Sequence, residues 1–188
     1  AFVDAIATKV PRKIVKYQPN PSFSIEGCDR CSRADAAGDT VFLFAGNLGK
    51  AQALDTILDA AELLKDYHDI KFLLVGSGSE EVRLHEEIRR RELNVEMPGS
   101  FPSEEMATFY KDSSALILCL SGDEVISKTI PSKLQTYMSV GKPIIMSCNG
   151  ESARILKDAD AGLCSPAQDS TALVKNILFF RSLDRATK

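Results

Sequence analysis

From Val41 to the end of the chain, short apolar runs alternate with longer segments whose apolar residues recur at helical spacing. The first run, VFLFAG (41–46), is rich in β-branched and aromatic residues and is closed by glycine, as a buried strand would be. Behind it, AQALDTILDAAELLKDY sets Leu54, Ile57, Leu58, Ala61 and Leu64 on one helical face. IKFLLVGSG reads as the second strand, and SEEVRLHEEIRRREL as a helix carrying Val82, Leu84 and Ile88. NVEMPGS is a weaker third strand, followed by the helix SEEMATFYKDS with Met106, Phe109 and Tyr110. ALILCL is a fourth strand of purely apolar residues, and IPSKLQTYMSV a short helix. KPIIMSC, GESARILKDA, GLCS and STALVKNILFFRSL then give strand, helix, strand and helix.

Strands apolar on both faces, each followed by an amphipathic helix, predict a parallel sheet covered on both sides. The expectation is an α/β fold: a doubly wound, Rossmann-like parallel sheet of about six strands over residues 41–188. Residues 1–40 differ. KIVKYQPNPSFSIEG carries two prolines around Asn20, and CDRCSRADAAGDT is small and polar, so this stretch reads as a linker or the remnant of a missing domain.

Composition narrows the function classes. The net charge of −3 across 188 residues offers no basic surface for nucleic acid, and Arg89-Arg90-Arg91 is flanked by Glu86, Glu87 and Glu92, a solvated helix face. No apolar run reaches the roughly 20 residues of a transmembrane helix. The start has no signal-peptide pattern and no initiator Met, which suggests a fragment. Of five cysteines, Cys119, Cys148 and Cys164 lie in or beside apolar segments, as reduced thiols do. Cys28 and Cys31 form a single CxxC without a second pair or a nearby histidine, which is read as incidental rather than as a zinc or redox site. His68 and His85 both sit in polar or charged surroundings, so no Ser-His-Asp or Cys-His arrangement can be assembled. No obligatory metal is expected, because the loops lack a clustered carboxylate pair beyond Asp123 and Glu124.

In doubly wound sheets ligands bind beyond the carboxyl ends of the strands. That rule selects loops 46–52, 76–80, 99–103, 120–132 and 147–152. Gly46-Asn47-Leu48-Gly49-Lys50 offers two glycines and a cation near a helix start, which suits a phosphate. Gly76-Ser77-Gly78-Ser79-Glu80 lacks the third glycine of a dinucleotide loop and follows the second strand, which argues against nicotinamide chemistry. The connection SGDEVISKTIPS exceeds the usual strand-to-helix length of about two to six residues. It brings Lys128, Thr129 and Ile130 to a helix start where Pro131 sets the first turn and Ser132 can cap. An anion, such as a diphosphate, fits there. Leu134, Tyr137 and Met138 form that helix's packing face, Gly141 is its left-handed stop, and Pro143 opens the next strand.

In combination, AGNLGKAQALDTILDAAELL, FLLVGSGSE, PGSFPSEEMATFYKDSSALIL and IPSKLQTYMSVGKPII resemble the C-terminal domain of glycosyltransferase family 4, over roughly residues 41–180. The resemblance is nearest to the bacterial branch that builds capsule and O-antigen polysaccharides. It implies the C-terminal half of a GT-B fold, which holds a nucleotide sugar, UDP-linked by expectation, as substrate and needs no cofactor. It implies retaining transfer of a hexose or N-acetylhexosamine to a glycan or lipid-linked acceptor bound by a missing N-terminal domain of about 150–200 residues. YQPNPSF resembles the interdomain stretch of that family. A full-length enzyme of this kind sits in the cytoplasm, and its acceptor is compatible with peripheral association at the inner membrane face.

The implied diphosphate contacts are Gly46, Asn47, Lys50, Lys128, Thr129, Ile130, Pro131 and Ser132. The implied nucleoside contacts are Gly76, Gly78, Ser100, Phe101 and Thr136. The chain departs from the family's pattern at four places: Asn47 and Gln52 stand where an Arg and a Lys are common, and Lys128 and Thr136 stand where two glutamates are common. Lys128 is the expected replacement for the missing cations, tested by Lys128→Ala and nucleoside diphosphate affinity. A non-catalytic binding or assembly module is the second reading, separable by calorimetry with UDP and UDP-sugars. A sugar-nucleotide epimerase of similar fold would want catalytic carboxylates and histidine that the sequence does not place.

Overall fold

In the first strand, Phe42 and Phe44 alternate with Leu43 and Ala45, so each face of the strand presents apolar surface. The interior strands Ala115–Cys119 and Ile144–Ser147 do the same and are buried on both faces, whereas in Ile70–Val75 Lys71 interrupts one face and pairs with Asp39. The computed structural model describes residues 38–186, with six strands: β1 (Thr40–Ala45), β2 (Ile70–Val75), β3 (Val95–Gly99), β4 (Ala115–Cys119), β5 (Ile144–Ser147) and β6 (Gly162–Ser165). All pairings are parallel, in the order β3-β2-β1-β4-β5-β6. The order reverses between β1 and β4, which opens a crevice at their carboxyl ends.

The helices are α1 (Asp55–Leu63), α2 (Glu81–Arg91), α3 (Ser103–Asp112), α4 (Glu124–Ser127), α5 (Ser132–Val140), α6 (Glu151–Asp158) and α7 (Ser170–Ala186). Phe42, Phe44, Phe72, Ile117 and Ile145 pack with Ile57 and Leu58 of α1, Leu84 of α2, and Leu173 and Ile177 of α7. On the other face, Leu43, Leu116, Leu118 and Met146 pack with Tyr110 of α3, Leu134 and Tyr137 of α5, and Leu156 of α6. Each such buried side chain contributes about 1.5–3 kcal/mol of transfer free energy, and two stacked layers of them fix the sheet between the helices.

The expected doubly wound sheet is present, with differences that have physical causes. The edge strands β3 and β6 are only partly buried, since each has a neighbour on one side alone. For that reason Cys164 on β6 is exposed, whereas Cys119 and Cys148 are buried. Loop 120–132 contains α4, because the Asp123 carboxylate caps it and accepts the Val125 N–H at 2.8 Å. Pro131, with φ −69° and ψ 140°, occupies the capping position of α5, so Ser132 is the first helical residue and caps nothing. Cys28, Cys31 and the interdomain stretch YQPNPSF lie outside the described residues.

The end of α5 is as expected: Gly141 is left-handed at φ 74°. Lys142, next to it, is buried, and its ammonium donates to the carbonyl oxygens of Lys111, at 2.6 Å, and Ser113. Those carbonyls close α3, so a cation satisfies a helix C-terminus and ties α3 to the end of α5.

Candidate functional site

The carboxyl-end loops are laced to one another before any ligand is considered. Leu48 N–H donates to Ser77 O at 2.8 Å, and Glu80 N–H donates to Leu48 O at 3.0 Å. Gly76 N–H donates to Gly99 O at 2.8 Å, and Ser121 N–H to Ala51 O at 2.9 Å. The Ser152 hydroxyl donates to Thr129 O at 3.0 Å. Gly76 has φ +145°, and a Cβ there would stand 1.9 Å from Gly46 O, so the first two loops can approach only with glycine at this position.

Two cavities open along this edge and share Ala45, Gly46, Asn47 and Tyr110. One, of about 430 Å³, is completed by Val75, Gly76, Ser77, Ser100, Phe101 and Met106. Phe101 is held against Phe109, with ring centroids 4.7 Å apart, so an aromatic wall is fixed in place. The other, of about 340 Å³, is completed by Gln52, Pro131, Ser132, Lys133 and Thr136. It lies where α5 begins, and that helix carries neither a side-chain cap nor an acid in its first turn. Its unoffset dipole favours an anion.

The sequence-derived candidates divide accordingly. Gly46, Asn47, Pro131, Ser132 and Thr136 meet in the smaller cavity, and Gly76, Ser100 and Phe101 in the larger. Lys50 lines a separate cavity of about 340 Å³ beside Arg83, whose guanidinium is held by Asp55 and Glu80. Gly78 packs on the Leu48 backbone. The Lys128 ammonium is bonded to Glu124, and the Thr129 hydroxyl donates to Ile126 O at 2.7 Å. Ile130 packs on the core layer that contains α5. The Thr136 hydroxyl donates to Ser132 O at 3.3 Å, within its own helix.

Sequence reasoning missed Lys133. Its ammonium donates to Gln52 Oε1 at 3.1 Å and stands 3.5 Å from the centroid of the Phe44 ring. Burial pulls its pKa down to about 7, and among the described residues the group opposing that shift is the Cys119 thiol. Burial pushes the Cys119 thiol up to about 12, so it stays neutral. Tyr137 braces the same spot: its hydroxyl accepts the Ala45 N–H at 2.8 Å, and burial raises its pKa. Among the described residues, no group of three or more His, Cys, Asp or Glu side chains could hold a metal ion.

Fold and strand order together define a doubly wound, Rossmann-like α/β domain, with its cleft at the β1/β4 switch point. The chain belongs to the family of glycosyl transferases group 1, which matches residues 30–185. It is 27% identical over 141 residues to WcaL of Escherichia coli strain K12, whose name describes a colanic acid biosynthesis glycosyltransferase. That match covers 73% of this chain and 35% of WcaL, so the chain spans about a third of the length of that relative. Among solved structures, a point mutant of Staphylococcus aureus TarM in complex with fondaparinux, α-GlcNAc-glycerol and UDP superposes with a TM-score of 0.73 at 14% identity, over 95% of this chain and 34% of TarM. The pneumococcal O-GlcNAc transferase GtfA, solved with UDP and GlcNAc, superposes with a TM-score of 0.65 at 17% identity, over 81% of this chain and 31% of GtfA.

Proposed function

We propose that this chain is the donor-binding domain of a retaining glycosyltransferase that uses a UDP-sugar. The group transferred is a hexose or N-acetylhexosamine, and the acceptor is a glycan or lipid-linked sugar in surface polysaccharide biosynthesis. The observation that carries the reading is the pair of adjoining cavities. One has an aromatic wall of the size and character a nucleoside wants, and the other gathers a helix start and an ammonium where a diphosphate would follow. Family membership, the polysaccharide relative WcaL and the UDP complexes of TarM and GtfA support the same assignment.

In this reading the domain acts by electrostatic stabilisation of the departing diphosphate, and the donor is a substrate that needs no further cofactor. The acceptor is held by another domain, and peripheral contact of the whole enzyme with the inner membrane face belongs to that part. No helix among the described residues is long and apolar enough to cross a membrane.

A binding or assembly module without transferase chemistry is the second reading, favoured by one observation. The two positions where the family commonly has glutamates hold Lys128, bonded to Glu124, and Thr136, bonded within its helix. Titration calorimetry on this chain tests the shared step: UDP and UDP-sugars bind in the micromolar to millimolar range, and absence of binding at millimolar ligand overturns the donor assignment. Sugar transfer by the full-length enzyme then separates the two readings.

A further inference from the structure

Lys133 enters the smaller cavity from the first turn of α5 and ends beside Gln52, over the Phe44 ring. The aliphatic stem passes under the first loop, so close that a Cβ on Gly46 would meet its Cε at 2.8 Å. A helix start is an unfavourable place for a cation, and removal from water makes it more so. The usual compensation is a carboxylate, yet none among the described residues bonds to Lys133 or shifts its charge equilibrium. Among the described residues, the titratable side chains around it are the Cys119 thiol on β4, the Tyr110 phenol on α3 and the Tyr137 phenol on its own helix, and none of them is a carboxylate. Its hydrogen-bond partner among the described residues is a neutral amide, Gln52.

We propose that Lys133 is the residue that pairs with the donor's phosphate groups, a role that rests on the donor-site reading above. Gln52 orients the ammonium, Phe44 supports it from below, and the phosphate oxygens provide the counter-charge that the protein withholds. Lys128, the cation expected at this helix from the sequence, is already bonded to Glu124 and does not line the cavity. In the free domain burial pulls the Lys133 pKa down to about 7 and so disfavours the ammonium. An arriving diphosphate favours the ammonium, so binding takes up a proton from solvent. The phosphate's own second ionisation, near pKa 6, is complete at pH 8 and does not mask this uptake.

The test is calorimetric binding of UDP to the 188-residue chain at pH 8, in two buffers of different ionisation enthalpy, for the unmodified chain and Lys133→Met. Methionine keeps the stem's volume and its contact with Phe44, and thermal melts of both proteins confirm the fold. The unmodified chain is expected to take up most of one proton, and Lys133→Met to lose that uptake together with at least about tenfold in affinity. A structural role alone would not move the proton count. If UDP binds the unmodified chain and Lys133→Met equally, with equal proton uptake, the proposal is overturned while the donor site stands. If the unmodified chain binds no UDP, the donor reading itself fails and takes the proposal with it. Should Lys133→Met not fold, Lys133→Gln under the same protocol decides by the same two readouts.

Discussion

A lysine in the first turn of a helix opposes the helix dipole, and Lys133 does so without an acid in that turn to offset it. Natural sequences tend to keep such conflicts where a ligand resolves them. The conflict has a pH signature in the free protein. The unfolded Lys133 keeps its ordinary value of 10.5, whereas the folded one lies at about 7. Between these values the unfolded chain binds more protons, so the native state gains stability as pH rises through this window. Below about pH 7 both states are protonated and the full cost of the buried charge is present. Lys133→Met without ligand is therefore expected to be more stable than the unmodified chain at pH 6, by about 1–3 kcal/mol. The gap should narrow as pH rises from 7 to 10, which urea melts across that range would show. A gap independent of pH contradicts the half-buried, uncompensated ammonium. In the sequence this residue was hidden: it stands next to the packing face of Leu134, Tyr137 and Met138, and only the fold of loop 46–52 over it partly shields it from water. Its signal was the unpartnered first-turn charge.

At the scale of elements, α5 is a short helix fastened from several directions. Tyr137 accepts the Ala45 N–H, Leu134 is fully buried, and Lys142 ties the helix end to α3. These contacts set the start of α5 against the loop that leaves β1, which is the geometry the smaller cavity needs. Tyr137→Phe keeps the ring's packing but leaves the buried Ala45 N–H without its partner. The expected cost is about 1–3 kcal/mol in urea unfolding, with a drop of several-fold in UDP affinity from the loosened loop. Unchanged stability and affinity would contradict the brace. The strands and the stop at Gly141 were legible because apolar runs and glycine punctuation are local signals. The Lys142 tie was not, because its partners Lys111 and Ser113 lie 31 and 29 residues away and meet it only after α3 and β5 pack. Likewise α4 has four residues, too few for a periodic pattern to appear.

At the scale of the whole molecule, the strand order places the reversal between β1 and β4, and the loops that follow β1, β2, β3 and β4 all reach the same edge. The sequence pointed to that edge, because parallel strands oblige their carboxyl ends to face one way. It did not show which loop residues converge: Lys50 and Lys128 turn aside, while Gln52 and Lys133 line the cavity. The cleft's claim to a nucleoside diphosphate is tested most directly by titrating the isotope-labelled chain with UDP and following its backbone amide resonances. The expected result is saturable shifts concentrated at Gly46, Asn47, Gly76, Ser100, Phe101, Ser132 and Lys133, with uridine alone moving only the Gly76, Ser100 and Phe101 end. Shifts confined to another face of the domain, or none at millimolar UDP, would contradict it.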